Sequence, residues 1–538
     1  MKFPADLSQL TPDQLRQLVE QQAELIGRQT QQIQQQDQSL QQRDLVIRQQ
    51  DTTLKQRDAT LKQRDLRIQQ LSHEVALLRR HRYGQSSEQL NLLQRSLLDD
   101  IVEADIAAIE LELDGLRSTS TPAARQQPKR TPLPPELPRI EIRHEPDNVQ
   151  CACGCQRRRI GEEISEKLDY TPGVFTVERH IRGKWVCDAC ETLTQAPMPA
   201  HILDKGVPTA GLLAQVLIAK YADHLPLYRQ EQIFGRAGVP IARSTLAEWV
   251  GICGVQLQPL VDALRETLLS EPVLHADETP VPMLAPGKKK THKAYIWAYT
   301  STALSDLKAV IYDFTPGRSG QHVRDILGDW QGSLVCDDYS GYKAGFGKGI
   351  TEIGCMAHAR RKFVELDVSG KSQIAGQAAD NIRQLYEIER DTAHLSNGER
   401  QRVRQSRAKP IADGLYRWMQ AQRTKVPDGT ATAKALDYSL KRWEALTRYL
   451  DDGAVPIDNN RVENLIRPWA LGRKNWLFAG SLRSGQRAAA VMSLIQSAKL
   501  NGHEPYAYLK DVLERLPTQQ ASAIQELLPQ HWSPASQN

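Results

Sequence analysis

Residues 272–283, PVLHADETPVPM, and residues 332–342, GSLVCDDYSGY, decide the fold of this chain. Both read as short apolar strands, and the first delivers Asp277 while the second delivers Asp337. The segment between them holds two more strand-like runs and then a helix-like run, at residues 294–301, 307–314 and 317–327. Three neighbouring strands, a helix and a further strand predict a ribonuclease-H-like α/β core.

A third acidic residue is expected from a later helix. Residues 456–476, PIDNNRVENLIRPWALGRKNW, read as a helix that an Asn caps and that carries Glu463 near its start. Two aspartates from strand ends and a glutamate from a helix can hold two Mg²⁺ or Mn²⁺ ions, the arrangement that two-metal phosphodiester chemistry requires. Glu278 and Asp338 are the chief rivals, because each lies beside a chosen aspartate.

Basic side chains near these acids are candidate contacts to a phosphate backbone. In residues 354–363, GCMAHARRKF, the candidates are His358 and Arg361. Three more candidates follow Glu463 on the same helix or just after it: Arg467, Arg473 and Lys474.

The interval between the last two acids is long. It spans 126 positions (463 minus 337), far more than one helix needs. Residues 370–452 contain amphipathic helical patterns, so a helical insertion inside the core of residues 268–500 is expected. Such an insertion either holds DNA near the metals or is a purely structural bundle, and the sequence favours neither.

The N-terminal segment carries a heptad repeat. Apolar residues recur every seven positions, at Ile26, Ile33, Leu40, Ile47, Leu54, Leu61, Ile68 and Val75. This spacing predicts a coiled-coil arm over residues 1–117 and a homo-oligomer formed through it, against the alternative of a solvated helix. Most companion core positions are polar, so the coil is expected to be weak. The Pro-rich residues 118–148 read as a linker.

Five of the eight cysteines fall between Cys151 and Cys190. Two thiolate hairpins separated by strand-like sequence predict structural zinc in a module of residues 149–200. The expected ligands are Cys151, Cys153, Cys187 and Cys190, with Cys155 as the alternate to Cys153. The alternative is a reduced cysteine cluster without metal.

Residues 205–262 read as a helix-turn-helix region. Residues 209–224 and 227–238 form two helical patterns, and Ser244 is placed to cap a third. A third helix of this kind can enter a major groove, so Ser244 and Thr245 at its start are candidate DNA contacts. Many three-helix bundles share the pattern without binding DNA.

Composition sets the class of protein. The 538 residues allow several domains, and the net charge of +5 is too mild to identify a nucleic-acid partner by itself. No apolar run reaches the roughly 20 residues of a membrane helix, and the N-terminus lacks a secretion signal. We expect a cytoplasmic protein without a membrane partner.

Four motifs give this chain a family resemblance: LHADETPV at 274–281, LVCDDYSGY at 334–342, GCMAHARRKF at 354–363 and NNRVENLIRPWALGRKNWLFAGS at 459–481. They resemble the transposases of the insertion sequence 66 family, from the heptad arm to the tail near Leu509. The resemblance implies a DDE-type DNA transposase in which Asp277, Asp337 and Glu463 are catalytic. It also implies a bacterial, nucleoid-associated protein with transposon ends and target DNA as partners, and it makes small accessory proteins of the same element plausible.

Two other classes of protein could contain the same predicted domains. A DNA-binding regulator or inactive accessory factor could keep the core as a scaffold, and a metal-dependent nuclease could hydrolyse DNA without joining it. The intact acidic residues argue against the regulator.

Residues 501–538 are expected to form a C-terminal helical tail.

Overall fold

The structure is a computed structural model. It describes residues 12–83, 92–116, 133–135, 137–146, 150, 152, 155–171, 173–203, 206–285, 290–346, 348–368, 372–476 and 479–534. None of the helices in these ranges is long and apolar enough to cross a membrane.

The described chain forms two compact units. The first unit contains helix α1 (Pro12–Tyr83) as far as Ala76, together with Leu116. The second unit contains the rest of α1, helix α2 (Leu92–Leu116) as far as Gly115, and the described residues from Leu133 onward. Ile47, Leu54 and Leu61 of the heptad repeat are 60, 58 and 45% exposed in the single chain. The coiled coil stays a prediction, because only one copy of the chain is present.

A small sheet follows, with strands β1 (Arg139–His144), β2 (Arg158–Thr171), β3 (Val174–Val186) and β4 (Leu193–Gln195). Its order is β1-β3-β2, and β4 also pairs with β3. The long hairpin of β2 and β3 brings the sequence around residue 156 beside the Cys187–Cys190 turn, because Arg158 is opposite Val186 in the register.

The three helices predicted next are present as α3 (Ala210–Tyr221), α4 (Leu227–Arg236) and α5 (Arg243–Gln256), and α6 (Gln258–Leu268) follows them. The prediction that Ser244 caps α5 is wrong. The helix begins one residue earlier, and the backbone N–H of Arg243 donates to the Glu231 carboxylate of α4 at 2.9 Å. A side chain distant in sequence therefore replaces the local cap.

The main sheet has five strands in the order β7-β6-β5-β8-β9. The first three in sequence are antiparallel, whereas β8 and β9 run parallel to β5. The strands are β5 (Val273–Ala285), β6 (Lys290–Ser301), β7 (Val310–Thr315), β8 (Gly332–Cys336) and β9 (Ile350–Gly354), with helix α7 (Gly320–Leu327) between β7 and β8 and helix α8 (Ser340–Lys343) after β8.

Helices cover both faces of this sheet. Val273 and Val335 face a core that they share with α9 (Met356–Val368), α10 (Gln373–Asp391), α12 (Lys409–Arg423) and α13 (Ala431–Lys441). Two shorter helices, α11 (Asn397–Val403) and α14 (Trp443–Thr447), complete this region. Leu274 and Leu334 face the opposite, larger core. Successive side chains on a strand point to opposite faces, so Asp277 and Asp337 point to the same side as Val273 and Val335.

The C-terminal helices are α15 (Asn460–Trp476), α16 (Leu482–Leu500) and α17 (Pro505–Arg515). Helix α16 covers the edge strand β7, whose open backbone groups need partners. The N–H groups of Val310 and Tyr312 donate to the hydroxyls of Ser497 and Ser493 at 3.0 and 2.8 Å. Two serines in a buried helix thus close one edge of the sheet.

Candidate active site

Asp277 lies within β5 and Asp337 directly follows β8, just beyond the residues at which these two parallel strands pair, so the expectation that Asp277 ends its strand is wrong. Strands β5 and β8 pair in register, with His275 opposite Val335. Asp277 and Asp337 each follow two residues later, so the two carboxylates leave neighbouring strands at the same level and on the same face. The backbone N–H of Tyr339 donates to Asp337 Oδ1 at 2.8 Å and fixes this side chain at the strand end.

Glu463 lies in the first turn of α15, which packs on β5. Asn459 directly precedes α15, as the predicted Asn cap requires, but its side chain does not cap the helix. The Asp458 carboxylate accepts the N–H of Asn460 at 3.1 Å, whereas the buried Asn459 side chain bonds to β5. Asn459 Nδ2 donates to the carbonyl of Ala276 at 2.9 Å, and Asn459 Oδ1 lies 2.8 Å from His275 Nδ1.

The electrostatics of the site favour a cation. Burial, together with the negative charges of Glu278, Asp337 and Glu463, raises the pKa of Asp277 to about 8. Glu463 Oε1 is buried and accepts no hydrogen bond from the described residues. Uncompensated negative charge and an orphaned carboxylate oxygen are what a bound divalent cation would relieve, so these residues fit the metal that the sequence implied.

Glu278, the rival of Asp277, is already engaged. Its side chain is 1% exposed and forms an ion pair with Arg318. The hydroxyl of Tyr342 donates to its other oxygen at 2.7 Å. A carboxylate that is paired on both oxygens on the opposite face of β5 is poorly placed to bind a metal beside Asp337.

Asp338, the rival of Asp337, points to solvent. It lies 2.9 Å from Lys343 Nζ and 3.7 Å from the Arg442 guanidinium, and its side chain is 43% exposed. Asp337, in contrast, makes no ion pair with any described residue. The structure therefore separates the doubled aspartates into one residue that faces Asp277 and one that pairs with Lys343 and Arg442.

His358 and Arg361 lie next to Glu463, as their position in GCMAHARRKF suggested. His358 Nε2 is 3.8 Å from Glu463 Oε1, and an Arg361 nitrogen is 3.4 Å from Glu463 Oε2. Arg361 is half exposed, so its guanidinium can reach both Glu463 and solvent. Sequence reasoning missed the buried neighbours Cys355, His275 and Asn459.

The other candidate DNA contacts have different surroundings. Arg467 is exposed and makes no ion pair within the described part of the chain. Arg473 donates to the carbonyl of Pro280 at 2.9 Å, so it helps to anchor the helix end to β5. The side chain of Lys474 lies outside the described residues.

Helix α5 is exposed at its start and buried along the side that faces its neighbouring helices. Ser244 is exposed and Thr245 half-buried at its first turn, but Trp249, Val250 and Cys253 are buried. Gly251 and Gly254 let two other helices approach closely: a side chain at Gly251 would collide with the Ala104 carbonyl of α2, and one at Gly254 with Arg487 of α16. The Gly-x-x-Gly spacing was the sequence signal for this packing.

The cysteine cluster is described only in part. Cys187 is buried and Cys190 exposed in a turn that Glu191 closes in the left-handed region, at a φ of 53°. Cys155 is exposed, and an antiparallel bridge between Gln150 and Gln156 closes the first hairpin. Cys151 and Cys153 lie outside the described residues.

Family models match most of the chain. Residues 205–487 match the model described as Transposase IS66 family, and residues 493–530 match the IS66 C-terminal element. Residues 149–191 match the zinc-finger binding domain of transposase IS66. Residues 70–142 match the model described as Transposase C of IS166 homeodomain, so this match falls on the arm and linker and not on α3–α5.

Three proteins of Sinorhizobium fredii are similar over most of their length. The uncharacterised protein y4qI is 37% identical over 482 residues, which are 86% of this chain and 89% of the relative. The uncharacterised protein y4jD is 37% identical over 86% of this chain and 94% of its own length. The uncharacterised protein y4hP is 34% identical over 87% of this chain and 89% of its own length.

Proposed function

Because this chain belongs to the IS66 family of transposases, we propose that it binds the ends of its insertion sequence, cleaves phosphodiester bonds there and joins the freed 3′ ends to target DNA. The strand order of the main sheet supports assigning it to the ribonuclease-H-like class. DNA is the partner that the family implies.

The observation that carries this proposal is the placement of Asp277 on β5 at the level of Asp337, with Glu463 in the first turn of the helix that packs on β5; the raised pKa of Asp277 agrees with it. The Asp277 carboxylate lies close to the negative charges of Asp337 and Glu463, and none of the described residues forms an ion pair with it. The proposed ligands of two Mg²⁺ or Mn²⁺ ions are therefore Asp277, Asp337 and Glu463. Bound ions of this kind lower the pKa of a water nucleophile and neutralise the charge that develops on the leaving oxygen.

The protein's own residues prepare the site for this chemistry. The Tyr339 N–H holds the Asp337 carboxylate in place, and the Asn459 side chain holds the start of α15 against β5. Arg361 lies where a scissile phosphate next to Glu463 could accept its hydrogen bonds. The exposed Arg467, one turn beyond Glu463, extends this basic surface. Ser244, Thr245, His358, Arg473 and Lys474 remain candidate DNA contacts.

Structural zinc is proposed for the cysteine module. The turn of Cys187 and Cys190 and the hairpin closed by Gln150 and Gln156 have the two-hairpin layout of a tetrahedral thiolate site. Cys151 together with Cys153 or Cys155 would complete the ligand set. The proposed role of this module and of the coiled-coil arm is to hold two transposon ends in one homo-oligomeric assembly.

One assay separates the three candidate functions. Full-length protein is incubated with Mn²⁺ or Mg²⁺ and a labelled duplex that carries the element's own end. Cut ends that become joined to a target plasmid support the transposase. Cut ends that never join indicate a nuclease. Specific binding without cutting, also in the presence of the element's other small proteins, indicates a regulator.

A further inference from the structure

A second group of metal-binding side chains lies beside the acidic triad. Cys355 immediately follows β9, His358 lies in the first turn of α9, and Glu463 lies in the first turn of α15. One ligand atom from each of these residues lies within 4.8 Å of the other two. Among the described residues, no other group of three or more His, Cys, Asp and Glu side chains brings its ligand atoms this close together. The three carboxylates of the acidic triad are spread more widely.

The thiol of Cys355 has the surroundings of a ligand. It is fully buried, and the backbone N–H of Asn459 donates to Cys355 Sγ at 3.2 Å. Backbone N–H groups that donate to sulfur stabilise a thiolate, and metal ligands commonly have such outer partners.

The other two residues each have an atom without a partner. His358 Nδ1 and Glu463 Oε1 are both buried and make no hydrogen bond with the described residues. The 3.8 Å between His358 Nε2 and Glu463 Oε1 is too long for a hydrogen bond. Two metal–ligand bonds of about 2.1 Å can span up to about 4.2 Å, so one ion can bridge this gap.

We propose that Cys355, His358 and Glu463 bind a single ion of the Zn²⁺ class in an open site. Sulfur, imidazole and carboxylate donors together select zinc and similar transition metals, whereas Mg²⁺ requires oxygen ligands. Three protein ligands leave a fourth position for water or a phosphate oxygen. This ion is distinct from the structural zinc of the cysteine module, since the two sites share no residue.

Both proposed metal sites use Glu463, so a metal bound at Cys355 and His358 regulates cleavage. This consequence rests on the proposed function. A Glu463 carboxylate drawn toward Cys355 and His358 is less able to complete the site of Asp277 and Asp337. Micromolar Zn²⁺ therefore inhibits Mg²⁺-supported cleavage by the wild type, and Cys355→Ala relieves this inhibition.

Cobalt tests the metal site without reference to activity. Full-length protein with its cysteine module loaded with zinc is titrated with Co²⁺ and followed by the thiolate-to-cobalt charge-transfer absorption. The wild type is expected to bind one more equivalent of Co²⁺ than Cys355→Ala and to show the band. His358→Gln, at a half-exposed position that tolerates the change, should bind this equivalent at least about tenfold more weakly.

Two control variants isolate the site. Cys253→Ala removes another buried cysteine, on α5, and should titrate like the wild type. Asp277→Asn should keep the cobalt band even though the proposed function requires it to lose cleavage, so failure of one proposal is distinguishable from failure of the other. Equal stoichiometry and spectra for wild type, Cys355→Ala and His358→Gln would overturn the metal site.

Discussion

His275 and Asn459, 184 positions apart in the sequence, are joined by a buried hydrogen bond of 2.8 Å. Because the Asn459 amide nitrogen donates to Ala276, Asn459 Oδ1 must accept, and His275 therefore carries its proton on Nδ1. Burial lowers the pKa of His275 to about 4, so the ring is neutral at neutral pH. This bond ties the strand that carries Asp277 to the helix that carries Glu463.

Loss of the Asn459 side chain should loosen the metal site. Asn459→Ala leaves a buried N–H of His275 unpaired, which costs about 1–3 kcal/mol in the free energy of unfolding. It should also raise the Mn²⁺ concentration needed for half-maximal end cleavage, because Glu463 is no longer held against β5. Asn464→Ala, an exposed change on the same helix, is the matched control and should alter neither quantity.

Asp277→Asn should stabilise the protein while it abolishes cleavage. The pKa of Asp277 is raised from 3.8 to about 8, so the folded protein holds a proton on this carboxyl more tightly than the unfolded chain does. The stability that this protonated carboxyl contributes is full below pH 4 and is lost as the pH rises through 8. In buffer without Mg²⁺ or Mn²⁺ the variant should exceed the wild type in unfolding free energy by at least about 1 kcal/mol at pH 8 and by less at pH 5.

Denaturant titrations at the two pH values measure this difference. Asp338→Asn is the control, because it removes the same charge from an exposed position. A difference between Asp277→Asn and the wild type that is independent of pH would contradict the proposed electrostatics of Asp277.

Helix α2 should depend on one buried ion pair for its attachment to α16, which packs on the main sheet. Asp105 is 1% exposed and lies 2.8 Å from the buried Arg487 guanidinium, and Ser481 also donates to it. Asp105→Ala leaves Arg487 buried without its counter-charge, which costs about 3–5 kcal/mol in unfolding free energy. Asp114→Ala, exposed on the same helix, should change it by less than about 0.5 kcal/mol.

Hydrogen exchange localises the effect of Asp105→Ala. The α2 backbone amides and those of α5 near Gly251 should exchange faster, since Gly251 contacts α2. Unchanged protection of α2 would show that other contacts are sufficient to hold it.

Cysteine substitution should unfold the cysteine module selectively. Cys187→Ala removes a buried thiolate from the proposed zinc site, and small zinc modules fold only with their metal. The protein should bind one zinc fewer by elemental analysis, and proteases should cut residues 150–195 while the main sheet stays intact. Cys336→Ala, in strand β8, should keep the full zinc content.

Local patterns explain which features the sequence could predict. The apolar runs that end on Asp277 and Asp337 form strands of the main sheet, and the helix that carries Glu463 is present. Each of these elements depends on the periodicity of apolar and polar residues within about twenty positions, and this pattern can be seen in the sequence itself.

Features that depend on distant contacts could not be predicted. Strand β9, at Ile350–Gly354, is defined by its pairing with β8, and the cap of α5 comes from Glu231 on another helix. The partners of Glu278 and Asp338 are fixed only by the fold. The burial of α5 had a sequence signal, the Gly251 and Gly254 pair, but its meaning depends on which helices approach.

The most direct test of the catalytic assignment compares the two adjacent aspartates. Cleavage of a labelled duplex with the element's own end is measured with Mn²⁺ for the wild type, Asp337→Asn and Asp338→Asn. The geometry predicts at least a hundredfold loss of rate, about 2.7 kcal/mol in activation free energy, for Asp337→Asn and less than about a tenfold loss for Asp338→Asn. Loss of cleavage in Asp338→Asn with activity kept in Asp337→Asn would contradict the site built from Asp277, Asp337 and Glu463.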